Sequence, residues 1–213
     1  YDKTGVTPLI IRNGISQNKI ESLSKVRWEK SVSGRKTVTF TGNVGVAQRL
    51  ELIIEKVSSD NKYDLRIVGD GAARSQLEGF AAKLCPGRVT FTGNVNWHDV
   101  IKEYTRADIL YTQIGNEFAT AVPTKIFEYL AIGKPVILGL PDGPARQVFT
   151  KFSGVFTHYP DDVKGLTKAL EAALLPMEID REGNVEMILA EHVRELQINT
   201  VVSALEKTNE GMF

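Results

Sequence analysis

One stretch of this chain holds the residues best suited to gripping an anion and a sugar hydroxyl together: Pro123-Thr124-Lys125-Ile126-Phe127-Glu128-Tyr129-Leu130-Ala131-Ile132-Gly133-Lys134-Pro135-Val136-Ile137. It reads as a loop, a short helix that opens with Pro123, a glycine stop at Gly133 and a buried strand. Proline suits the first helical position because the N–H it lacks has no intrahelical acceptor there. Gly133 suits a left-handed cap, and Pro135 prevents continuation. The start of such a helix presents free N–H groups and the positive end of the dipole. Lys125 falls in its first turn and Glu128 one turn on. Amides and an ammonium hold an anion, and the carboxylate accepts from hydroxyls. An ordinary α/β crossover with a solvated Lys and Glu has the same spacing, so the motif alone does not decide between the two.

The elements that must position these residues alternate along the chain. Leu9-Ile10-Ile11 reads as a short strand followed by the turn Arg12-Asn13-Gly14, and residues 15–34 as mixed helix and loop in which Trp28 packs. Strands are expected at Lys36 to Thr41, Asp64 to Val68, Arg88 to Thr92, Ala107 to Thr112, Val136 to Leu140 and Gly154 to Thr157. Helices are expected at Val46 to Val57, with Leu50, Ile53, Ile54 and Val57 on one face, and at Ala73 to Leu84 and Trp97 to Thr105. Further helices follow at Pro123, at Asp142-Gly143-Pro144, at Asp161 to Leu174 and, as one long terminal region, from Gly183 onward. Strands alternating with helices make an α/β fold, a parallel sheet with helices on both faces.

Ligands of such folds sit at the carboxyl ends of the strands. Here those ends carry Gly42-Asn43-Val44-Gly45, Gly69-Asp70-Gly71, Gly93-Asn94-Val95 and Gly115 to Thr124. A glycine in any one loop does no more than turn the chain, but four such loops on one edge fit a ligand of nucleotide size. The strings Val38-Thr39-Phe40-Thr41-Gly42-Asn43-Val44 and Val89-Thr90-Phe91-Thr92-Gly93-Asn94-Val95 are two similar strand ends rather than a repeat unit.

Composition narrows the function classes. Lys+Arg and Asp+Glu both number 26 among 213 residues, so the chain has no net charge and lacks the basic field of a nucleic-acid binder. Its single cysteine, Cys85, cannot form an intrachain disulfide and reads as a buried or loop thiol. No apolar run approaches a membrane span, and no signal peptide is visible; a cytoplasmic location, with peripheral association at the inner face of a membrane, is expected. His98, His158 and His192 show no ligand spacing, and no Asp-X-Asp string is present to hold a metal. Arg146 is assigned to a helix surface and Asp161-Asp162 to a helix start. The chain opens on Tyr1, as an excerpt of a longer protein would.

Thr41-Gly42-Asn43-Val44-Gly45-Val46-Ala47-Gln48, Val68-Gly69-Asp70-Gly71, Val89-Thr90-Phe91-Thr92-Gly93, Ala107-Asp108-Ile109-Leu110 and Pro123 to Ile137 together resemble the carboxyl-terminal half of a retaining group-one (family 4) glycosyltransferase. That family has the GT-B architecture of two Rossmann-like domains, and the resemblance spans roughly residues 8 to 208. It is strongest with members that build bacterial surface polysaccharides from UDP-activated N-acetylamino sugars. It implies a linker or hinge with a first strand over residues 1–35, a nucleotide-sugar-binding Rossmann-like domain over 36–213, and an amino-terminal acceptor domain outside the chain.

Residue by residue, the resemblance makes Glu128 the ribose acceptor, a role suited to a carboxylate that takes two vicinal hydroxyls. Lys125 and the N–H groups around Thr124 meet the diphosphate. The family's first glutamate falls at Thr120, which leaves the sugar contact open, with Glu117 nearby as a substitute. The family's Arg and Lys after the first strand fall at Asn43 and Gln48, beside Gly42 and Gly45; both bond phosphate without charge, which Arg49 supplies. Asn94 and Val95 match the loop that pairs with the base, where Val95 or Trp97 offers an apolar surface. No cofactor, metal or catalytic residue is expected within this chain, and the isolated domain binds donor without turnover. The partners implied are a nucleotide-sugar donor and, through the missing domain, an acceptor glycan or lipid-linked sugar. Two other readings stay open: a GT-B sugar-nucleotide epimerase, or a non-catalytic sugar-nucleotide-binding subunit completed by a partner chain.

Overall fold

A computed structural model describes residues 14–28 and 34–210 of the chain, with the side chains of residues 204–210 excepted. The expected strand Leu9-Ile10-Ile11 and the turn residues Arg12-Asn13 lie outside the described residues. The strands are β1 (Lys36–Thr41), β2 (Tyr63–Val68), β3 (Val89–Gly93), β4 (Ile109–Gln113), β5 (Val136–Gly139) and β6 (Val155–His158). They form one sheet in the order β3-β2-β1-β4-β5-β6, every pairing parallel. The helices are α1 (Gln17–Ser24), α2 (Glu51–Ser59), α3 (Arg74–Leu84), α4 (Trp97–Arg106), α5 (Lys125–Ile132), α6 (Pro144–Phe149), α7 (Val163–Ala173), α8 (Arg181–Glu191) and α9 (Arg194–Glu210).

The two-residue strand period sorts the core into two layers. Val38, Phe40, Leu65, Ile67, Ile109 and Tyr111 face the helices α2, α3 and α7. Leu110, Val136 and Leu138 face the opposite way, toward α1, α4, α5, α6 and α8. Because helices cover both faces, β4 is buried along its whole length, as a central strand of a parallel sheet must be. The face expected on α2 is correct, for Leu50, Ile53, Ile54 and Val57 are fully buried.

Several boundaries differ from expectation, each for a local reason. The helix expected over Val46 to Val57 is two elements, a 3-10 turn at Val46–Gln48 and α2 from Glu51. Arg49 divides them, held in the left-handed region at φ 41°, ψ 52°. Helix α5 opens at Lys125, not at Pro123. Pro123 and Thr124 instead accept i→i+3 bonds from Ile126 and Phe127 at 3.3 and 3.2 Å, a tight turn that leads into the helix. Asp161 is not helical but left-handed at φ 62°; Asp162 is the cap of α7, accepting from the Gly165 amide at 2.9 Å. The long terminal helix is two, α8 and α9, broken where Ile15 pairs with the backbone on either side of Val193. Ile15 N donates to His192 O at 3.0 Å and Arg194 N to Ile15 O at 2.8 Å, so the chain there is extended, not coiled. That contact reaches back to α1, which packs against both α5 and α8.

α5 is buried on every side from Ile126 to Ile132. Such a helix is a core element, and its position is fixed by packing rather than by propensity. Gly133 ends it at φ 77° with its amide bonded to Leu130 O at 3.1 Å, the left-handed stop expected of it. Trp28 packs as anticipated, its Nε1 donating to Ile132 O at 2.8 Å.

Candidate functional site

Because all six strands run the same way, the glycine turns after β1, β2 and β3 share one rim of the sheet with the loop after β4. Backbone bonds stitch them together. Gly42 N reaches Val68 O at 2.9 Å, Val44 N reaches Asp70 O at 2.9 Å, Ala73 N reaches Val44 O at 3.0 Å and Gly69 N reaches Gly93 O at 2.9 Å. Gly115 N joins the β4 loop to Ala47 O at 2.9 Å. Glycine is obligatory at the closest approach: a Cβ on Gly69, at φ +133°, would stand 1.9 Å from Gly42 O. One on Gly71 would stand 2.5 Å from Val44 O.

Within this rim, Gly42 has φ +145° and Asn43 is exposed, with its side-chain amide lying across Gly45 and Gly71. The Gln48 side chain does not point outward for phosphate through its carbonyl, because Oε1 accepts from Gly45 N at 3.1 Å and closes the 3-10 turn. Arg49 is committed to two carboxylates. It pairs with Glu117 at 3.2 Å and with Asp161, so both its charge and the substitute glutamate are engaged with each other. Arg49 and Asp161 are the two non-glycine residues with positive φ among the described residues, and they are ion-paired. Asn94 is exposed and Val95 half-buried just beyond Gly93; Thr120 is exposed in the loop after the 3-10 turn Asn116–Phe118.

Lys125 and Glu128 do come together, Nζ to Oε2 at 3.1 Å, with Thr124 as N-cap residue directly before them. The Glu128 side chain is buried, and Lys19 of α1 approaches its other oxygen at 3.6 Å. Tyr104 of α4 donates its hydroxyl to Glu128 Oε2 at 2.7 Å. Burial and the Glu128 charge raise the Tyr104 phenol well above its usual range, so it remains a donor. Tyr104 and Tyr129 meet edge to face at 5.6 Å, and both hydroxyls reach Thr41 Oγ1, at 3.2 and 3.1 Å. Thr41 is the last residue of β1 and precedes Gly42, so this buried network ties Glu128 to the first glycine turn. Lys19 also lies 4.6 Å from the ring centroid of Trp97, the residue after Asn96 at the start of α4.

Sequence reasoning missed Lys19, Tyr104, Tyr129 and Thr41. Tyr129 carried a faint signal, as the one polar-tipped residue beside Glu128 in an otherwise apolar run. Arg146 is likewise not the surface residue expected: its guanidinium lies under the rim, donating to Leu140 O, to His158 O at 2.8 Å and to Thr157 Oγ1 at 3.1 Å. His158 is a core histidine stacked on Tyr111, and burial lowers its pKa.

A cavity of about 1030 Å³ lies elsewhere. Lys36, Asp108, Lys134 and Pro135 line it, residues at the amino ends of β1, β4 and β5, together with Trp28 and Met177. Two of its charges hold backbone: Lys134 donates to Thr105 O at 2.7 Å and to Ala107 O under the face of Trp28, and Arg181 holds carbonyls at the ends of α1 and α5. Burial pushes the Lys134 pKa down to about 8 from the ordinary 10.5. The folded protein therefore releases this proton near pH 8 while the unfolded chain keeps it to about pH 10.5, so stability contributed by this group rises with pH across that window. Denaturant melts at pH 7.5 and 9.5 should show a steeper rise, or smaller fall, for the wild type than for Lys134→Met; equal pH dependence would contradict the assignment.

Among the described residues no group of three or more His, Cys, Asp or Glu could hold a metal, and no helix is long and apolar enough to cross a membrane.

Comparison with known proteins bears on the fold and the family. The structure is similar to a glycosyltransferase from Rickettsia africae, with a TM-score of 0.71 at 15% identity over 93% of this chain and 56% of that one. It is similar to the sucrose-phosphate synthase of Thermosynechococcus elongatus, with a TM-score of 0.71 at 17% identity over 95% and 53%. It is also similar to HepE of Anabaena in complex with UDP and glucose, with a TM-score of 0.67 at 17% identity over 93% and 56%. The chain thus spans about half the length of these proteins. Among curated proteins no sequence matches. At such identities the structures speak for the fold, a Rossmann-like half of the GT-B architecture. The model of the family "Glycosyl transferases group 1" matches residues 24–182, most of the chain, and to that family this protein belongs.

Proposed function

We propose that this chain is the carboxyl-terminal, donor-binding domain of a retaining glycosyltransferase, and that it holds a UDP-linked sugar at the carboxyl rim of its sheet. The observation that carries the reading is the meeting of Lys125 and Glu128 at the start of α5, tied through Tyr104 to the strand end that opens the first glycine turn. Amides near Thr124, the Lys125 ammonium and the amides of the Gly42 turn supply donors for a diphosphate. Glu128 accepts from the ribose, and the loop at Asn94 and Val95 faces the base. Departure of the sugar leaves growing charge on the diphosphate, and fixed donors lower the cost of that charge without reorganising. The acceptor, a polysaccharide or lipid-linked sugar, binds a second domain that this chain does not contain, so the chain alone binds donor without turning it over. UDP bound by HepE makes a uridine nucleotide the first donor to test.

A ligand that binds the native state alone stabilises it, by about 2.7 kcal/mol at 100 times its Kd. For a domain of this size that raises Tm by roughly 5–10 °C. Thermal melts with UDP, GDP and dTDP should therefore show a rise with UDP. No rise with any of the three at millimolar concentration would contradict the reading.

A further inference from the structure

Glu128 offers its ligand a single oxygen, and the reason lies in α4. Its Oε2 is taken twice, by the Tyr104 hydroxyl at 2.7 Å and by Lys125 Nζ at 3.1 Å. Its Oε1 faces Lys19 Nζ at 3.6 Å, beyond hydrogen-bond length, and the Lys19 side chain is half-exposed. The carboxylate only accepts, so it sets the direction of every hydroxyl behind it. Tyr104 spends its one proton on Glu128. Thr41 Oγ1, 3.2 Å away, must then donate to the Tyr104 oxygen. Tyr129 takes the Thr41 amide at 2.8 Å and returns its own proton to Thr41 O at 3.2 Å. All three residues are buried, Tyr104 and Tyr129 completely. The result is a run of donors from the Thr41 hydroxyl through Tyr104 into the carboxylate, of the kind whose members polarise one another, while Tyr129 holds the backbone of the same Thr41.

We infer that Tyr104 is the positioning residue for the ribose contact of Glu128. It fixes Oε2, leaves Oε1 as the ligand-facing oxygen, and through Thr41 sets the distance between that oxygen and the Gly42 turn. Ribose and diphosphate contacts are thereby held at one spacing. Lys19, between Glu128 and the Trp97 ring, covers Oε1 and yields it to a vicinal diol. This inference rests on the reading of Glu128 as the ribose acceptor, and its test separates the two.

The test is titration calorimetry of this chain with UDP, with 2′,3′-dideoxy-UDP and with inorganic pyrophosphate. The wild type should bind UDP more tightly than the dideoxy compound. Tyr104→Phe should weaken UDP by about fivefold, the equivalent of one hydrogen bond, while dideoxy-UDP and pyrophosphate stay within about twofold, so that discrimination for the diol falls. Equal weakening of UDP and dideoxy-UDP, or no change in either, overturns the positioning role while leaving Glu128 as ribose acceptor. A wild type that binds UDP and dideoxy-UDP alike overturns the ribose reading itself. Thr41→Val removes the same link one step back and leaves the Tyr104–Glu128 bond in place. It should lower diol discrimination in the same direction, and serves if Tyr104→Phe does not fold; unchanged discrimination in that variant counts against the inference.

Discussion

Glu128→Ala is expected to weaken UDP binding by about 1.5–3 kcal/mol, the range for hydrogen bonds to a charged group. The carboxylate is buried and accepts from two donors, with the Lys19 ammonium 3.6 Å away, so its loss removes the proposed ribose acceptor and leaves the Tyr104 hydroxyl without its carboxylate acceptor. Lys125 is released at the same time, which favours a phosphate. Pyrophosphate affinity is therefore expected to hold or rise while UDP affinity falls, a split that general loss of structure does not produce. Glu128→Gln keeps an acceptor for Tyr104 and retains more stability than the alanine variant. Calorimetry of both variants against UDP and pyrophosphate checks the expectation. UDP affinity unchanged in Glu128→Ala would make Glu128 a packing residue of a buried helix.

Gly69→Ala is expected to be the most damaging single methyl in the described structure. Its Cβ would fall 1.9 Å from Gly42 O, inside any allowed contact, and the residue sits at φ +133° where side chains are strained. The obstacle is backbone, so no side chain swings aside. The turns after β1 and β2 must separate, breaking the bond from Gly42 N to Val68 O and that from Gly69 N to Gly93 O. Each lost bond in a buried setting costs about 1–3 kcal/mol, so a loss of about 3 kcal/mol or more is expected, a Tm fall of roughly 6–12 °C. Gly79→Ala is the matched control, since a Cβ there meets nothing within 4 Å and the residue is helical. A Gly69→Ala variant that melts within a degree or two of the wild type would show that the turns are not packed as described.

The alternation of strands and helices was legible because both faces of the sheet are covered and each element carries its own periodicity. The Leu50, Ile53, Ile54 and Val57 face and the Gly133 stop needed nothing beyond local pattern. What escaped was set by contacts distant in sequence. The break at His192 comes from pairing with Ile15, far back in the chain. The left-handed Arg49 is stabilised by Glu117 and Asp161 from other loops, and no residue type announces such a conformation as glycine would. Arg146 reads as a surface charge because sequence cannot show that the carbonyls of Leu140 and His158 converge on it. Within the site, Lys125, Glu128 and the glycine turns were visible as motifs. Tyr104 and Tyr129 were not, because tyrosines at apolar helix positions look like core until the partner of each hydroxyl is known.

The central claim is that the nucleotide lies on the carboxyl rim of the sheet and not in the cavity at its amino ends. Amide chemical shifts of the isotopically labelled chain, followed during a UDP titration, test it most directly. The account predicts the largest changes at Gly42, Asn43, Asn94, Thr124 and Lys125, with Gly133, Lys134 and Met177 unmoved. Changes centred on Trp28, Lys134 and Met177, with the glycine turns silent, would contradict it.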